Sequence, residues 1–366
     1  MDSSLPRTGI EQLGEFGLIE FLTKNLVLKQ ASTKTGVGDD AAVLQIPSNK
    51  QCLLSTDMLV EGVHFDLTYM PLKHLGYKAV MVNLSDIAAM NGTPKQITVS
   101  IALSNRFSLE AVDQLYQGIY LACQKYDIDL IGGDTTSSVH GLIISVTVVG
   151  EAEEEKITYR SGAKLNDLIV VSGDLGSAYL GLQLLEREKN VFFETGQKVQ
   201  PDLQGYEYLL ERQLKPEARI DVVELLAEAG IKPNAMIDIS DGLSSELLHL
   251  CKQSGLGCTI YEEKIPIDPT AVGLAHEFTL DPTTCALNGG EDYELLFTID
   301  LKDYEKIKNM PDLTVIGHMT EKDAGCNLVT RGQTQHPLTA QGWNALLNKK
   351  EEGDEQHLNA AEDEEL

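Results

Sequence analysis

The run GYKAVMVNLSDIAAMNG, residues 76–92, is the feature that most limits what this chain can become. It is apolar and helix-like, and Gly92 with Pro94 just after it supplies a stop. Inside the helix so predicted sits Asp86, with Asn83 and Ser85 beside it, small alanines after it and no neighbouring base to neutralise it. A carboxylate taken out of water is paired with something positive or gives up its charge. The partner of Asp86 must come from elsewhere, and it need not be a side chain.

Strand and helix signals alternate around this run. AAVLQI and QCLLSTD read as strands before it. After it, QITVSIAL is a strand and SLEAVDQLYQGIYLACQKYD a helix with Ser108 as N-cap, and IDLIGG and GLIISVTVVGE are two more strands. The acidic stretch EAEEEK, 151–156, is the best boundary. Beyond it DLIVVSG is a strand, LGSAYLGLQLLERE a helix, 187–206 a polar connection and PEARIDVVELLAEAG a helix. AMIDIS is then a strand and LSSELLHLCKQSG a helix, with CTIYEE, YELLFTI and LTVIGH as later strands. The expected organisation is a pair of α/β (α+β) domains, 1–150 and 151–348, with an acidic disordered tail at 349–366. No internal repeat is evident.

A chain of 366 residues suffices for two domains that each bury a core. Its 56 acidic and 29 basic residues give a net charge of −27, which repels nucleic acid and anionic lipid and argues against both as partners. Such a surface also repels a nucleotide or a phosphate ester unless metal ions stand between. No basic segment followed by an apolar one opens the chain, so no signal peptide is expected, and no apolar run is long enough to span a membrane. Cys52, Cys123, Cys251, Cys258, Cys285 and Cys326 show no CxxC spacing. They read as reduced core thiols of a cytoplasmic protein rather than a disulfide frame or zinc site.

Six places share one design, in which an apolar segment delivers a carboxylate flanked by glycine, serine or threonine. They are GVGDDAAVL (Asp39, Asp40), LLSTDMLV (Asp57), NLSD (Asp86), LIGGDTTSS (Asp134), IDISDGLSSEL (Asp238, Asp241) and NGGEDYELLF (Glu291, Asp292). Small residues let a backbone approach a ligand closely, and carboxylates with adjacent hydroxyls are hard oxygen donors of the kind magnesium takes. EF-hand spacing is absent. Any single one of these aspartates is more simply a turn or cap residue. Asp241 could cap the helix after it, and Asp134 could turn a loop. Asp86 resists that reading because it falls mid-helix, and the recurrence favours a shared metal site.

Other patterns carry less. There is no Walker loop, SGAK at 161–164 being a superficial echo, and GVG at 36–38 lacks the third glycine of a dinucleotide fingerprint. The protein-kinase set is missing, and no two histidines have zinc-site spacing. Arg160 in ITYRSGAK reads as a phosphate fork or as half of a structural ion pair. His64 in VEGVHF is a ligand contact or a satisfied loop histidine, and Trp343 a core cap or a stacking surface.

Taken in order, GVGDD, STD with EGVHF, NLSDIAAMNG, LIGGDTT, RSGAK, DISDGL and GGEDYEL resemble the thiamine-monophosphate kinase family, from about residue 14 to 345. The resemblance implies the aminoimidazole-ribonucleotide synthetase-like fold, with an N-terminal domain that closes a β-barrel across a homodimer and an α/β C-terminal domain. It implies direct transfer of the γ-phosphoryl group of ATP to thiamine monophosphate, giving thiamine diphosphate, assisted by several magnesium ions. By motif it places Asp40, Ser55, Thr56, Asp57, Asp86, Asp134, Asp238 and Asp241 on magnesium. Gly133, Asp134, Arg160 and Ser240 would lie along ATP, with Tyr116 of LYQGIY beside the adenine, and His64, Glu291 and Trp343 would face thiamine monophosphate. No catalytic base is nominated, because the acceptor phosphate is already ionised at neutral pH. Two other readings stay open. Another ATP-using synthetase of the superfamily would be expected to bring a reactive cysteine or a glycine-rich N-terminal stretch, and neither is evident. A non-enzymatic divalent-metal-binding protein would leave Arg160, His64 and GGEDYEL without a task.

Overall fold

The computed structural model describes residue 9 and residues 12–38, 41–196 and 200–341; Asp39, Asp40, Trp343 and the acidic tail lie outside the described residues. The first half opens with α1 (Gly14–Thr23) and a small ribbon of β1 (Thr33–Thr35) and β2 (Val43–Leu44). Then come β3 (Gln51–Val60), α2 (Leu72–Ala89), β4 (Thr93–Leu103), α3 (Leu109–Lys125), β5 (Asp129–Ser137) and β6 (Ile143–Ala152). Strands β3-β6-β4-β5, in that order, make one sheet, antiparallel except for β4 with β5. A parallel pair needs a crossover, and α3 is that crossover. Ser108 caps it as expected, its hydroxyl accepting the N–H of Ala111.

Helices α2 and α3 pack on each other backbone to backbone. A Cβ on Gly76 would lie 2.0 Å from the carbonyl oxygen of Leu115, and one on Gly118 would lie 1.9 Å from that of Lys73. Leu75, Leu84, Ile97, Leu115, Ile119 and Val148 fill the core between these helices and the sheet. Alternation along β3 turns Ser55, Asp57 and Leu59 toward α2 and leaves Leu54 and Met58 on the outer face, 70% and 56% exposed.

The second half runs β7 (Leu168–Ser172), α4 (Ser177–Glu194), α5 (Glu207–Leu214), α6 (Ile220–Glu228), β8 (Ala235–Asp238), α7 (Leu243–Ser254) and β9 (Gly257–Tyr261). It continues with α8 (Pro269–Glu277), α9 (Pro282–Asn288), β10 (Leu295–Ile299), α10 (Tyr304–Ile307), β11 (Leu313–Thr320), β12 (Cys326–Val329) and β13 (Gln335–Pro337). Its strands form a mixed sheet in the order β13-β12-β9-β11-β7-β10-β8. Strands β8 and β10 are buried along their whole length, apolar except for Asp238 at the end of β8 and Thr298 in β10. The sequence reading stops α4 too early, since the helix continues to Glu194, and it passes over α5, α8 and α9. These three have 8, 9 and 7 residues, too short to display a helical period, although Asp268-Pro269 and Asp281-Pro282 are start signals in plain view. The strand expected at AAVLQI contracts to Val43–Leu44.

Helix α2 belongs to both halves. Ala88 and Ala89 at its end pack with Val170, Met236 and Phe297 of the second sheet. Tyr77 of α2 and Tyr126 each donate to Glu217 at 2.6 Å, and Lys125 pairs with the same carboxylate. Lys78, 1% exposed, pairs with Glu291 at 3.0 Å and donates to the carbonyl of Gln213 at 3.0 Å. No helix among the described residues is long and apolar enough to cross a membrane.

The helix contact makes a paired test. Gly118→Ala must push backbones apart, at a cost of about 1–3 kcal/mol. Gly273→Ala, in α8 with nothing within 4 Å of its Cβ position, should instead stabilise the protein by up to about 1 kcal/mol. Denaturant melts of the two variants should move in opposite directions.

Candidate active site

Three carboxylates meet where α2 lies between the sheets. Asp57 comes from β3, Asp86 from the last turn and a half of α2, and Asp238 from the end of β8. Ser55 donates to Asp86 at 2.5 Å, and Ser85 donates to Asp238 at 2.7 Å. Strand β3 is an edge of its sheet, and the N–H of Asp57 is taken by the side chain of Asn83 at 3.1 Å. The three polar residues of NLSD therefore have separate tasks. Asn83 holds β3, Ser85 holds β8, and Asp86 faces the space between them.

The remaining parts surround this trio. The segment before β7 is stitched to both of its helices and strands of origin: Thr158 donates its N–H to the carbonyl of Met90, and Met236 donates to that of Tyr159. This brings Arg160 into the electrostatic field of Asp86, Asp238 and Asp241 while its own side chain stays exposed. Among the described residues Arg160 forms no salt bridge, and it faces the three aspartates through space. The turn after β8 is held by the GGED loop. Glu291 donates its N–H to the carbonyl of Ser240 at 2.7 Å, and a Cβ on Gly290 would lie 2.6 Å from that same oxygen. Asp241 does not cap α7. Gly242 occupies the N-cap, and the buried Glu246 reaches back to accept the N–H of Asp241 at 3.2 Å.

His64 accepts the N–H of Val60 on Nδ1 at 3.1 Å, which leaves Nε2 to carry the proton in the neutral ring. Burial lowers its pKa, and Glu291 and Lys78 lie in its field, so His64 and Glu291 share one region beside the trio. Glu291 itself, at φ 58°, is held by Lys78 and by the side chain of Gln213 at 2.8 Å.

Other expected ligands fall elsewhere. Thr56 points to the outer face, bonded to the carbonyl of Val146 and to Thr147, each at 3.0 Å, so its hydroxyl is turned away from Asp57. Gly133 shares a cross-sheet row with Val99, Val146 and Asp57, and a Cβ there would strike the carbonyl of Val99 at 1.9 Å. Asp134, next along β5, is exposed and accepts the N–H of Thr135 at 2.9 Å, apart from the trio. Tyr116, on α3, is 6% exposed and packed edge-on against Tyr120. Asp40 and Trp343 lie outside the described residues.

Lys78 and Gln213, which hold Glu291, are residues of this region that the sequence reading passed over. Only Lys78 carried a signal, as the one charge in the apolar stretch before Asn83. One cleft, about 870 Å³, is lined by Lys125, Arg212, Lys215, Glu217, Arg219 and Glu294 among others, and the trio does not border it. Its charged side chains are largely spent on one another, which leaves the trio as the better candidate for chemistry.

The trio is short of positive charge. Burial first, then the charges of Asp86 and Asp238, raise the pKa of Asp57 to about 7. Burial and the charge of Asp86 raise Asp238 to about 6, and burial raises Asp86 against the pull of Ser55 and Arg160. A carboxylate whose folded pKa lies above its unfolded value contributes stability below the unfolded pKa and loses it as pH rises through the folded one. The metal-free protein should therefore lose stability as pH climbs from about 4 to about 7. Asp57→Asn should raise its melting temperature most at pH 8, and by progressively less as pH falls toward about 4, in scans run with a chelator present.

Known proteins resemble this chain along most of its length. Residues 38–152 match the AIR synthase related protein, N-terminal domain, and residues 165–325 match the C-terminal domain. The thiamine-monophosphate kinase of Bacillus subtilis is 36% identical over 338 residues, covering 91% of this chain and 99% of the relative. That of Aquifex aeolicus is 37% identical, covering 85% and 93%. Among solved structures, AaThiL complexed with AMPPCP and TMP superposes with a TM-score of 0.70 at 35% identity, covering 93% of this chain and 99% of its own. The thiamine-monophosphate kinase of Stenotrophomonas maltophilia gives 0.71 at 31%, covering 86% and 95%. The hydrogenase maturation protein HypE in complex with ATP shares the fold alone, with a TM-score of 0.69 at 17% identity. This chain belongs to the thiamine-monophosphate kinase family.

Proposed function

We infer that this chain performs the reaction of its family, ATP-dependent phosphorylation of thiamine monophosphate to thiamine diphosphate, at the junction of α2 with the two sheets. The observation that carries this placement is the convergence of Asp57, Asp86 and Asp238 from three elements, with no side-chain cation among the described residues bonded to any of them. Their donor set, three carboxylates with the Ser55 hydroxyl, consists of hard oxygens and fits magnesium. Asp57, Asp86 and Asp238 would hold it, with Asp241 close by. Bound there, magnesium supplies neutralisation of the phosphate oxygens of both substrates.

The chain's own residues then have limited, definite tasks. Arg160, exposed beside the trio, is placed to fork a phosphate of ATP. Ser240, with its backbone clamped by the GGED loop, presents an exposed side chain next to Asp238 and Asp241. His64 offers an Nε2–H to an anionic acceptor without itself carrying charge, and Glu291 and Lys78 set its orientation and field. AaThiL is complexed with AMPPCP and TMP, an occupancy that matches a site built for two anions at once. No base is required, since the acceptor oxygen is already ionised; what the residues contribute is alignment.

The outer face of the first sheet completes the proposal. Leu54 and Met58 lie bare there, β3 and β5 are its two edges, and Asp134 and Thr56 point the same way. A second copy laid over this face as a homodimer would cover the apolar side chains and both edges in a closed barrel. Asp134 and Thr56 would then face the interior of the dimer.

Two measurements test the reading. Asp86→Asn keeps shape and removes one charge. It should stay folded by circular dichroism while kcat/KM for thiamine monophosphate falls by about a hundredfold or more, and near-normal turnover would remove Asp86 from the site. Second, ADP release should proceed with thiamine monophosphate and not with free thiamine at matched concentration. A free hydroxyl needs a general base, and none is placed to serve it.

A further inference from the structure

Three cysteines that are distant in sequence share one point in the second domain. Cys251 lies on α7, Cys258 on β9 and Cys326 on β12, and their sulfurs all lie within 4.8 Å of one another. Cys326 and Cys258 are direct partners in the parallel pair of β12 and β9. On the other side of β9, Met319 of β11 is the direct partner of Cys258. Partners in register point to the same face, so two thiols and a thioether form a row across three strands, with Cys251 supplied by the helix that covers it. The surroundings are apolar: Leu247, Leu250 and Ile260 belong to the same buried cluster, and Cys326 is the half-exposed member that opens it to solvent.

A buried thiol is ordinarily a small hydrophobe, and that account serves for Cys123 or Cys285 singly. It does not explain three sulfurs from three elements aimed at one another. Among the described residues no histidine, aspartate or glutamate joins the group. Structural zinc closes a four-ligand shell, and magnesium or calcium wants oxygen. Copper(I) is satisfied by three sulfurs and favours thiolate and thioether donors over all others. We propose that Cys251, Cys258 and Cys326 bind one soft monovalent ion of the copper(I) class, with Met319 as the neighbouring thioether.

The ion enters at Cys326, the least buried of the three, and each thiol that ligates as a thiolate releases one proton to water. Binding must then strengthen as pH rises. The test uses the full chain, reduced and anaerobic, with copper(I) supplied as its coloured bicinchoninate complex. The wild-type protein should withdraw one equivalent per chain, more completely at pH 8 than at pH 6, and X-ray absorption should show sulfur ligands only. Cys326→Ser should weaken binding about tenfold or more, about 1.4 kcal/mol, and Cys52→Ser, at an exposed position on β3, should not change it. A melting curve confirms that Cys326→Ser is folded, and Cys326→Ala replaces it if it is not. Equal withdrawal by wild type and the Cys326 variant overturns the site. So does a disulfide among the three cysteines in freshly isolated protein, or zinc(II) held as tightly as copper(I).

Discussion

Mutual repulsion among Asp57, Asp86 and Asp238 is the constraint to which the rest of the molecule answers. Bringing carboxylates together out of water opposes folding, and the raised pKa values of Asp57 and Asp238 are the sign of it. The structure withstands this because the elements that carry the three are fixed by unrelated contacts. Asn83 and Ser85 tie α2 to β3 and to Asp238, the apolar ends of α2 sit in the second sheet, and Gly76 and Gly118 lock α2 to α3. Local strain at a site of this kind is sustained only where the surroundings over-determine it.

The GGEDYEL segment shows how a carboxylate-rich motif divides its labour. Glu291 neutralises Lys78, a buried cation from the other half of the chain. Asp292 accepts the N–H of Gly176 at the start of α4, at 2.9 Å. Glu294 joins Arg212 at 2.8 Å, Arg219 at 2.5 Å and Ser172 at 2.5 Å, which ties β7 and β10 to the connection between α5 and α6. Buried ion pairs of this sort contribute little net stability compared with apolar packing. What they contribute is one geometry, because each charge must find its own partner and any misplacement leaves it bare in the interior. The loop that supplies Glu291 near His64 and clamps Ser240 is therefore held by its own acidic residues, and the site inherits that rigidity.

A protein with a net charge of −27 that works on two anions has little to offer them by long-range attraction. Within the junction the sign problem is handled locally. Arg160 is the exposed guanidinium beside the trio, the neutral His64 ring keeps its Nε2–H, and the carboxylates are hard oxygen donors. Phosphoryl transfer asks for alignment and neutralisation more than for covalent chemistry, and this site is equipped for those two tasks.

Much of this was legible in the residues. The mid-helix place of Asp86, the Ser108 cap, the strand–helix alternation and the recurrence of small residues around aspartates are local properties, and local periodicity and turn chemistry record them. Other features are set by register and packing alone. Strand pairing put Thr56 and Asp134 on one face of the sheet and Asp57 on the other, although Thr56 and Asp57 are neighbours in the chain. The period of 2 in a strand is visible in sequence, but which face meets the helix is decided by what packs there. Tyr116 is buried because α3 turns that face inward, which the local sequence does not mark. Lys78 and Glu291, like Cys251, Cys258 and Cys326, have no meaningful spacing in the chain. Their contacts arise only when separate elements close on one another, since side chains far apart along a backbone carry no mark of the neighbours that a tertiary fold will give them.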